Sequence, residues 1–216
     1  MECPAGVEDF VQKKTLTAAE RDRDEVRLER RHWQHLQLQL DPDRFVFLDE
    51  TWVKSNMTPA YGWGPVGSRV PEAVPHGHWK TTTFLAALRS TGLVAPLVID
   101  GALDGALFRA YVEQHLVREL RSGDVVVLDN LSSHKVPGVA EAIRSVGAEV
   151  VYLPPYSPDL NPIEQVFAKA KATIRKRKPR TVDETERLCG EALDWFSPQE
   201  CQNYIRHAGY GPQEGN

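Results

Sequence analysis

The sequence predicts an α/β fold on a mixed five-stranded sheet, in which three antiparallel strands come first, parallel strands follow, and helices cover both faces. Three observations lead to this prediction. Two strand-like runs are joined by a short turn early in the chain. Apolar runs and stretches of helical periodicity alternate after it. The chain has 216 residues, 41% hydrophobic and 26% charged, which is enough for one good-sized core.

The chain begins with a charged helix that leads into the first strand. Thr17 to Leu40 is predicted to be helical, with Thr17 and Glu20 spaced as a capping box. Asp41-Pro42-Asp43 ends this helix. Arg44 to Asp49 is a short apolar run of strand-forming residues, which indicates a buried strand.

A long loop and a hairpin come next. Lys54 to Trp79 is rich in Gly, Pro and Trp and has no clear period, so we expect an extended loop or small subdomain. Thr81 to Leu88 and Leu93 to Asp100 have the composition of strands. Arg89-Ser90-Thr91-Gly92 joins them, and this pattern predicts an antiparallel hairpin.

The second half alternates between helices and strands. Helices are predicted over Gly105 to Leu120, over Val136 to Val146 and from about Asn161 onward. Strands are predicted over Asp124 to Asp129 and Glu149 to Leu153, both apolar enough to be buried on two faces. The resulting order of strand, hairpin, helix, strand, helix, strand and helix matches the RNase H-like fold.

Two acids end buried strands and are candidate metal ligands. Asp49 ends the first strand, and its neighbour Glu50 should point to the opposite face, so we expect only Asp49 to join the site. Asp129 ends the fourth strand, where ligands gather in open α/β sheets. The alternative for both is structural, a turn cap for Asp49 and the start of an Asp-Asn turn at Asp129.

Glu164 is the third candidate, and it has a complete structural alternative. Asn161-Pro162-Ile163-Glu164 fits an N-cap, a proline at the first helical position and a capping-box glutamate, as does Ser197-Pro198-Gln199-Glu200 further on. What favours a site is the set of acids. Carboxylates that converge repel one another unless cations join them, and Mg²⁺ prefers oxygen ligands. Paired metals can then promote in-line displacement at phosphorus.

A basic run follows Glu164 and contrasts with the formal net charge of -4. The helix has a predicted apolar stripe, while Lys171 and Arg175 fall on the Glu164 face. Such a run can contact a phosphate backbone, although most charge runs are only solvated helix faces. The stripe consists of Ile163, Val166, Phe167, Ala170 and Ile174. The candidate DNA contacts are Lys169, Lys171, Arg175, Lys176, Arg177 and Lys178, with Arg180 ending the run.

Three blocks of the sequence resemble the signature blocks of the insertion-sequence-630 transposases, which belong with the mariner elements in the DDE superfamily. They are Phe47-Leu48-Asp49-Glu50-Thr51-Trp52, then Val127 to Lys135, which contains Asp129, Asn130 and His134, then Leu153 to Glu164. The third block is the most specific, and the second and third acids have 34 residues between them. Pro75 to Lys80 also resembles the bacterial branch.

The resemblance implies an RNase H-like fold and a DNA transposase catalytic domain that cleaves at inverted-repeat ends and transfers strands into TA-containing DNA, where a TA step is easily unstacked. It implies Mg²⁺ or Mn²⁺, as two ions, with Asp49 and Asp129 bridging them and Glu164 completing the shell of one. Asn130 and His134 match family positions, where they would support the metal ligands or contact DNA. The active form is expected to be a homodimer.

The same resemblance sets the expected organisation of the chain. We interpret 1–41 as a helical linker, 42–180 as the catalytic domain with a loop insertion at 54–80, and 181–216 as helices packed on the core. Family members carry helix-turn-helix domains ahead of the core, and the roughly 48 residues before Asp49 leave no room for two. A separate helix-turn-helix chain is therefore an expected partner.

Two other functions remain open from sequence, a general nuclease on RNA–DNA hybrids and a domesticated or truncated DNA-binding remnant. The scattered cysteines, the lack of an apolar span and the start of the chain favour a cytoplasmic, nucleoid-associated protein without a membrane partner. We expect Cys189 and Cys201 to be buried free thiols rather than zinc ligands.

Overall fold

The computed structural model describes residues 17–74, 77 and 79–211. Its sheet contains β1 (Phe45–Lys54), β2 (Thr81–Arg89), β3 (Gly92–Asp100), β4 (Val125–Leu128) and β5 (Glu149–Tyr152). The strand order is β3-β2-β1-β4-β5. The β1–β2 and β2–β3 pairs are antiparallel, whereas β1–β4 and β4–β5 are parallel. The predicted mixed RNase H-like sheet is confirmed.

The helices follow the predicted order, with different ends. They are α1 (Asp24–Gln37), α2 (Gly105–Tyr111), α3 (Val117–Glu119), α4 (Val139–Ser145), α5 (Ile163–Arg177), α6 (Val182–Glu191) and α7 (Pro198–His207). A π-helical segment, Val112–Leu116, joins α2 to α3, so one predicted helix is continuous but irregular. None of the described helices is long and apolar enough to span a membrane.

Two apolar layers sandwich the sheet because strand residues alternate between its faces. Phe45 and Phe47 belong to the layer that contains the buried stripe of α5, and this stripe has the five residues predicted for it. Val46 and Leu48 belong to the layer under α2 and α4. We call these the α5 face and the α2 face of the sheet.

The first helix is attached to the turn before α5 by buried and partly buried polar contacts. Nε1 of Trp33 donates to Oη of Tyr210 at 3.1 Å, and that hydroxyl donates to the carbonyl of Leu160 at 2.8 Å. The guanidinium of Arg30 makes two hydrogen bonds, at 3.0 and 2.7 Å, to the carboxylate of Asp159. Both contacts hold α1 against the turn before α5. The division into 1–41, 42–180 and 181–216 stays a prediction.

Two helix-start predictions are wrong and one is correct. The Thr17 capping box does not form: a 3-10 turn, Ala19–Asp22, follows Ala18, and α1 begins after Arg23 without a side-chain cap. The Asn161 capping box does not form either, because that side chain bonds elsewhere. At α7 the predicted cap is present, since Ser197 Oγ accepts from the backbone N–H of Glu200 at 3.3 Å.

The loop after β1 extends over residues 55–80 and contains no helix or strand in its described part. Two side chains in it are almost fully solvated, Tyr61 at 93% and Trp63 at 102% exposure. Glu72 pairs with Lys178, and the carbonyl of Met57 accepts from Arg180, so the loop lies against the end of α5. Pro75, His76 and His78 of the sequence block lie outside the described residues. Cys189 and Cys201 are buried free thiols, as predicted.

Candidate active site

A cavity of about 500 Å³ opens beside the middle of β1, at the carboxyl end of β4 and at the start of α5. Asp49, Asp129 and Glu164 all line it. The prediction that Asp49 ends its strand is wrong, because β1 continues to Lys54 through its pairing with β2. The parallel pairing of β1 with β4 brings Asp49 beside the end of β4, and the turn after β5 brings the start of α5 next to them. The structure therefore brings the three predicted acids to one place. The other lining residues are Asn130, Leu131, Leu153, Pro154, Pro155, Tyr156, Ser157, Pro158 and Asn161.

Asp49 is the most buried of the three acids, with 7% of its surface exposed. Its Oδ1 accepts from the backbone N–H of Glu50 at 2.8 Å, and its Oδ2 accepts from Nδ2 of Asn161 at 2.9 Å. Burial, followed by the charges of Glu164, Glu50 and Asp129, raises the pKa of Asp49 to about 8. The carboxyl is held within β1, where burial and neighbouring negative charge oppose its ionisation.

The structural alternative for Glu164 made Asn161 an N-cap, but in the structure the side chain of Asn161 forms a hydrogen bond with Asp49. Its amide nitrogen donates to Asp49, and its Oδ1 is buried without a hydrogen-bond partner. The backbone N–H of Glu164 bonds the carbonyl of Asn161 at 3.2 Å, not its side chain. The capping-box explanation of Glu164 is therefore wrong, and the side chain of Glu164 is free to face the cavity.

Glu164 interacts electrostatically with the other acids and with Lys171 on the next turns of α5. Burial raises the pKa of Glu164, Lys171 opposes this rise, and Asp129 and Glu50 add to it. Burial lowers the pKa of Lys171, while Glu164 and Asp49 raise it. Lys171 is thus a half-buried cation beside the carboxylates, as its predicted place on the Glu164 face requires.

Asp129 makes the turn that its sequence alternative describes, and it also lies in the cavity. Its Oδ1 accepts from the backbone N–H of Leu131 at 3.1 Å and lies 2.5 Å from Nδ1 of His134. Nδ1 has no partner with hydrogen-bonding geometry, so this approach is an ion-pair contact. Nε2 of His134 lies 3.0 Å from Oε2 of Glu50. Burial opposes a charge on His134, but the contacts with Asp129 and Glu50 outweigh it and raise the pKa of His134 to about 9.

Glu50 does not line the cavity, but a buried histidine connects it to the site. The side chain of Glu50 lies on the α2 face, as strand alternation requires. His134 connects it to Asp129, and the charge of Glu50 helps to raise the pKa of Asp49. The sequence signal was the Asp49-Glu50 pair itself. Alternation alone could not show that a buried histidine would carry the contact around the end of β4.

The predicted DNA contacts on α5 divide into two groups. Lys169 pairs with Glu200, Arg177 with Glu191 and Lys178 with Glu72. Within the described chain, no ion-pair partner occurs for Lys171, Arg175 or Lys176. Asn130 lines the cavity, and its Oδ1 contacts Nζ of Lys135.

The three carboxylates match a metal site in their chemistry but not in their present arrangement. Among the described side chains, no group of three or more His, Cys, Asp and Glu is arranged to hold a metal ion. Both oxygens of Asp49 and one of Asp129 are bonded within the protein. The donor set fits a hard cation in its chemistry, because it has three carboxylates with unfavourable mutual charge and a buried amide oxygen without a partner, but some side chains would have to turn.

The fold and this acidic edge define an α/β domain of the RNase H-like class, with carboxylates collected beside the parallel pair of β1 and β4. The family model described as DDE superfamily endonuclease matches residues 44–186, so the chain belongs to that family. No curated protein sequence matches the chain.

Solved structures of the Mos1 mariner transposase have a similar fold. The Mos1 strand transfer complex has a TM-score of 0.73 at 16% identity and covers 95% of this chain and 63% of its own. The mariner Mos1 paired-end complex with Mg has a TM-score of 0.77 at 15% identity, with coverage of 94% and 64%. The catalytic domain of Mos1 mariner transposase has a TM-score of 0.64 at 14% identity, with coverage of 93% of both chains. The chain therefore spans just under two thirds of the longer Mos1 chains and nearly all of the catalytic domain.

Proposed function

We propose that this chain is the catalytic domain of a DNA transposase, which cleaves DNA at the inverted-repeat ends of its element and joins the cut strand to a target. The observation that carries the proposal is the collection of Asp49, Asp129 and Glu164 around one cavity, where the charges of Glu164 and Asp129 help to raise the pKa of Asp49 and that of Asp129 helps to raise the pKa of Glu164. The family and the Mos1-like fold support the same reaction class, transfer of a phosphoryl group of DNA.

Asp49, Asp129 and Glu164 would hold Mg²⁺ or Mn²⁺, proposed as two ions. Bound there, the metal would activate the attacking water or hydroxyl and stabilise the leaving oxygen at phosphorus. Asp49 would lose its proton on binding the cation, because a cation removes the repulsion that keeps its carboxyl neutral. Asn161 would remain beside Asp49 and keep its orientation through the amide nitrogen. Mos1 paired-end complexes with Mn and with Mg support the choice of ion.

DNA would approach the cavity along α5. Lys171 lies beside the carboxylates, and Arg175 and Lys176 follow it without ion-pair partners in the described part of the chain. A phosphate near the acids would meet Lys171 first, and its positive charge would offset the repulsion between phosphate and carboxylate. Lys169, Arg177 and Lys178 would have to leave their glutamate partners to contact DNA, so we rank them below these three.

The partners and setting of the whole protein are also part of the proposal. We infer inverted-repeat ends and TA-containing target DNA as substrates, a homodimer as the active form and a separate helix-turn-helix chain as a further partner. One solved Mos1 structure is a strand transfer complex and another is a paired-end complex with a left transposon end. Both support paired DNA ends as the proposed substrate. A cytoplasmic, nucleoid-associated location is proposed because the substrate would be chromosomal DNA.

The test is cleavage of duplex DNA taken from the sequences that flank the gene, with Mg²⁺ or Mn²⁺, beside an RNA–DNA hybrid of the same sequence. Asp129→Asn and Glu164→Gln should abolish cutting of the duplex. Glu186→Gln is the matched control, since Glu186 is an exposed acid on α6. Cleavage that survives in Asp129→Asn would overturn the site. Preference for the hybrid would favour a general nuclease, and metal-independent binding without cleavage would favour a DNA-binding remnant.

A further inference from the structure

Glu50 is connected to both Asp49 and Asp129 from the α2 face of the sheet. Its backbone N–H donates to Oδ1 of Asp49 at 2.8 Å. Its side chain lies 3.0 Å from Nε2 of His134, whose Nδ1 lies 2.5 Å from Oδ1 of Asp129. One residue is thus connected to the carboxylate of β1 through its main chain and to that of β4 through a single histidine.

His134 is held so that its ring cannot turn away. It is completely buried, and its ring lies against Phe108, with centroids 4.4 Å apart and planes at 32°. Its backbone N–H bonds the carbonyl of Leu131 at 3.2 Å, and its carbonyl accepts from Oη of Tyr152 at 3.3 Å. A fully packed ring with both nitrogens facing carboxylates transmits the position of one carboxylate to the other.

Within the described chain, the polar contacts of Asp129 involve only one of its two carboxylate oxygens. Its Oδ1 receives the backbone N–H of Leu131 and faces His134. Its Oδ2 has no hydrogen-bond partner in the part of the chain that is described, and Asp129 lines the cavity. Contacts on one oxygen fix the rotation of a carboxylate and leave the other oxygen available to an incoming ligand. Partners behind a ligating carboxylate commonly set its orientation in this way.

We propose that Glu50 and His134 are positioning residues, which orient Asp129 through the ring of His134 and Asp49 through the backbone of Glu50 for binding a divalent cation. The proposal rests on the proposed function, because it assigns these residues to the same metal site. Glu50 and His134 do not themselves contact the cation or the DNA. Their effect is on the affinity of the metal for Asp49 and Asp129.

The competing explanation is that Glu50 and His134 only stabilise the fold. The chain offers a matched control at the opposite end of β4, where Arg89 pairs with Asp124. Both members of that pair are buried, and Asp124 also accepts from the backbone N–H of Arg121 at 2.6 Å. Asp124→Asn therefore damages a buried ion pair next to the same strand without touching the cavity.

The experiment is a Mn²⁺ titration of the full chain without DNA, in which free Mn²⁺ is measured by electron paramagnetic resonance. Glu50→Gln keeps the shape of the side chain and its backbone N–H but removes the charge that faces His134. We expect it to raise the Kd for Mn²⁺ by about 10–100-fold, the usual effect of removing such a partner. Asp124→Asn should lower Tm and leave the Kd unchanged.

The outcomes separate this inference from the proposed function. If the unaltered protein binds no Mn²⁺, the proposed metal chemistry and this inference both fall. If it binds Mn²⁺ and Glu50→Gln binds equally well, only the positioning role falls. If Glu50→Gln yields no folded protein, His134→Gln is measured instead, since glutamine can bond one carboxylate but cannot bridge two. An increased Kd for Mn²⁺ supports the positioning role, and an unchanged Kd overturns it.

Discussion

Replacing Asp49 by asparagine should stabilise the metal-free protein. Asp49 is buried, and its pKa rises from its ordinary value of 3.8 to about 8 because of burial and the charges of Glu164, Glu50 and Asp129. Since one pKa unit corresponds to about 1.4 kcal/mol, keeping this carboxyl protonated costs the folded state up to about 4 kcal/mol at about pH 7. An amide in its place is neutral at every pH and removes this cost.

The hydrogen bonds of Asp49 set how much of that gain survives. Asparagine has one oxygen, which can accept from the backbone N–H of Glu50, and its NH₂ can donate to Asn161 after the Asn161 amide rotates by half a turn. The buried Oδ1 of Asn161 then gains a partner that it lacks now. We allow about 2 kcal/mol for exchanging these bonds and burying the amide. The net gain is about 2 kcal/mol, or about 4–8 °C in Tm for a chain of this size.

The assay is thermal unfolding in EDTA across pH. A carboxyl whose pKa is raised on folding contributes stability that is present below about pH 4 and lost as pH rises toward about 8. The Asp49→Asn protein should therefore be less stable than the unaltered protein by about 2 kcal/mol at about pH 4, where only the penalty for the exchanged bonds remains, and should become the more stable of the two as pH rises toward about 8. Glu186→Gln, an exposed acid, is the control and should show no such slope. A lower Tm for Asp49→Asn at neutral pH, or an advantage that does not change with pH, would refute the reasoning.

Three further results are expected. Lys171→Gln should weaken binding to duplex DNA for all sequences and reduce the slope of log affinity against log salt by about 1, measured by fluorescence anisotropy; an unchanged slope would remove Lys171 from the DNA path. Tyr210→Phe should cost about 1–3 kcal/mol in urea unfolding, because it leaves the buried Trp33 N–H without its acceptor; a loss near zero would contradict this. Arg30→Met should lower Tm by a few degrees, since Asp159 is partly exposed and the pair is screened; no change would show that α1 is held by its apolar contacts alone.

Sequence periodicity was sufficient for the sheet but not for the ends of its elements. Each strand is an apolar run, so the order and the hairpin followed directly. The predicted helix over Gly105 to Leu120 is interrupted by a π-helical segment, which leaves the spacing of apolar residues nearly unchanged. The Thr17 capping box fits the local pattern, but the chain makes a 3-10 turn there before α1.

The sequence was sufficient to predict the residues whose place in the site depends on their position along the chain. It was not sufficient for the residues whose place depends on tertiary contacts. Asp129 ends its strand, as predicted, whereas β1 continues past Asp49 to Lys54; the parallel pairing of β1 with β4 still brings both acids to one edge of the sheet. Asn161 has every local property of an N-cap, and only the neighbouring β1 provides the carboxylate that takes its side chain. Glu50 was excluded by strand alternation, which is correct for the sheet and silent about a histidine from the turn after β4.

The central claim is that Asp49, Asp129 and Glu164 together bind the divalent metal. Anomalous diffraction from crystals soaked in Mn²⁺ tests this most directly, because it locates the ion independently of activity. We predict Mn²⁺ in the cavity with carboxylate oxygens of Asp49 and Asp129 at about 2.1–2.2 Å and Glu164 in or beside the shell. Mn²⁺ bound elsewhere, or a cavity that stays without an anomalous peak at saturating Mn²⁺ while Asp49 keeps its bond to Asn161, would contradict the claim.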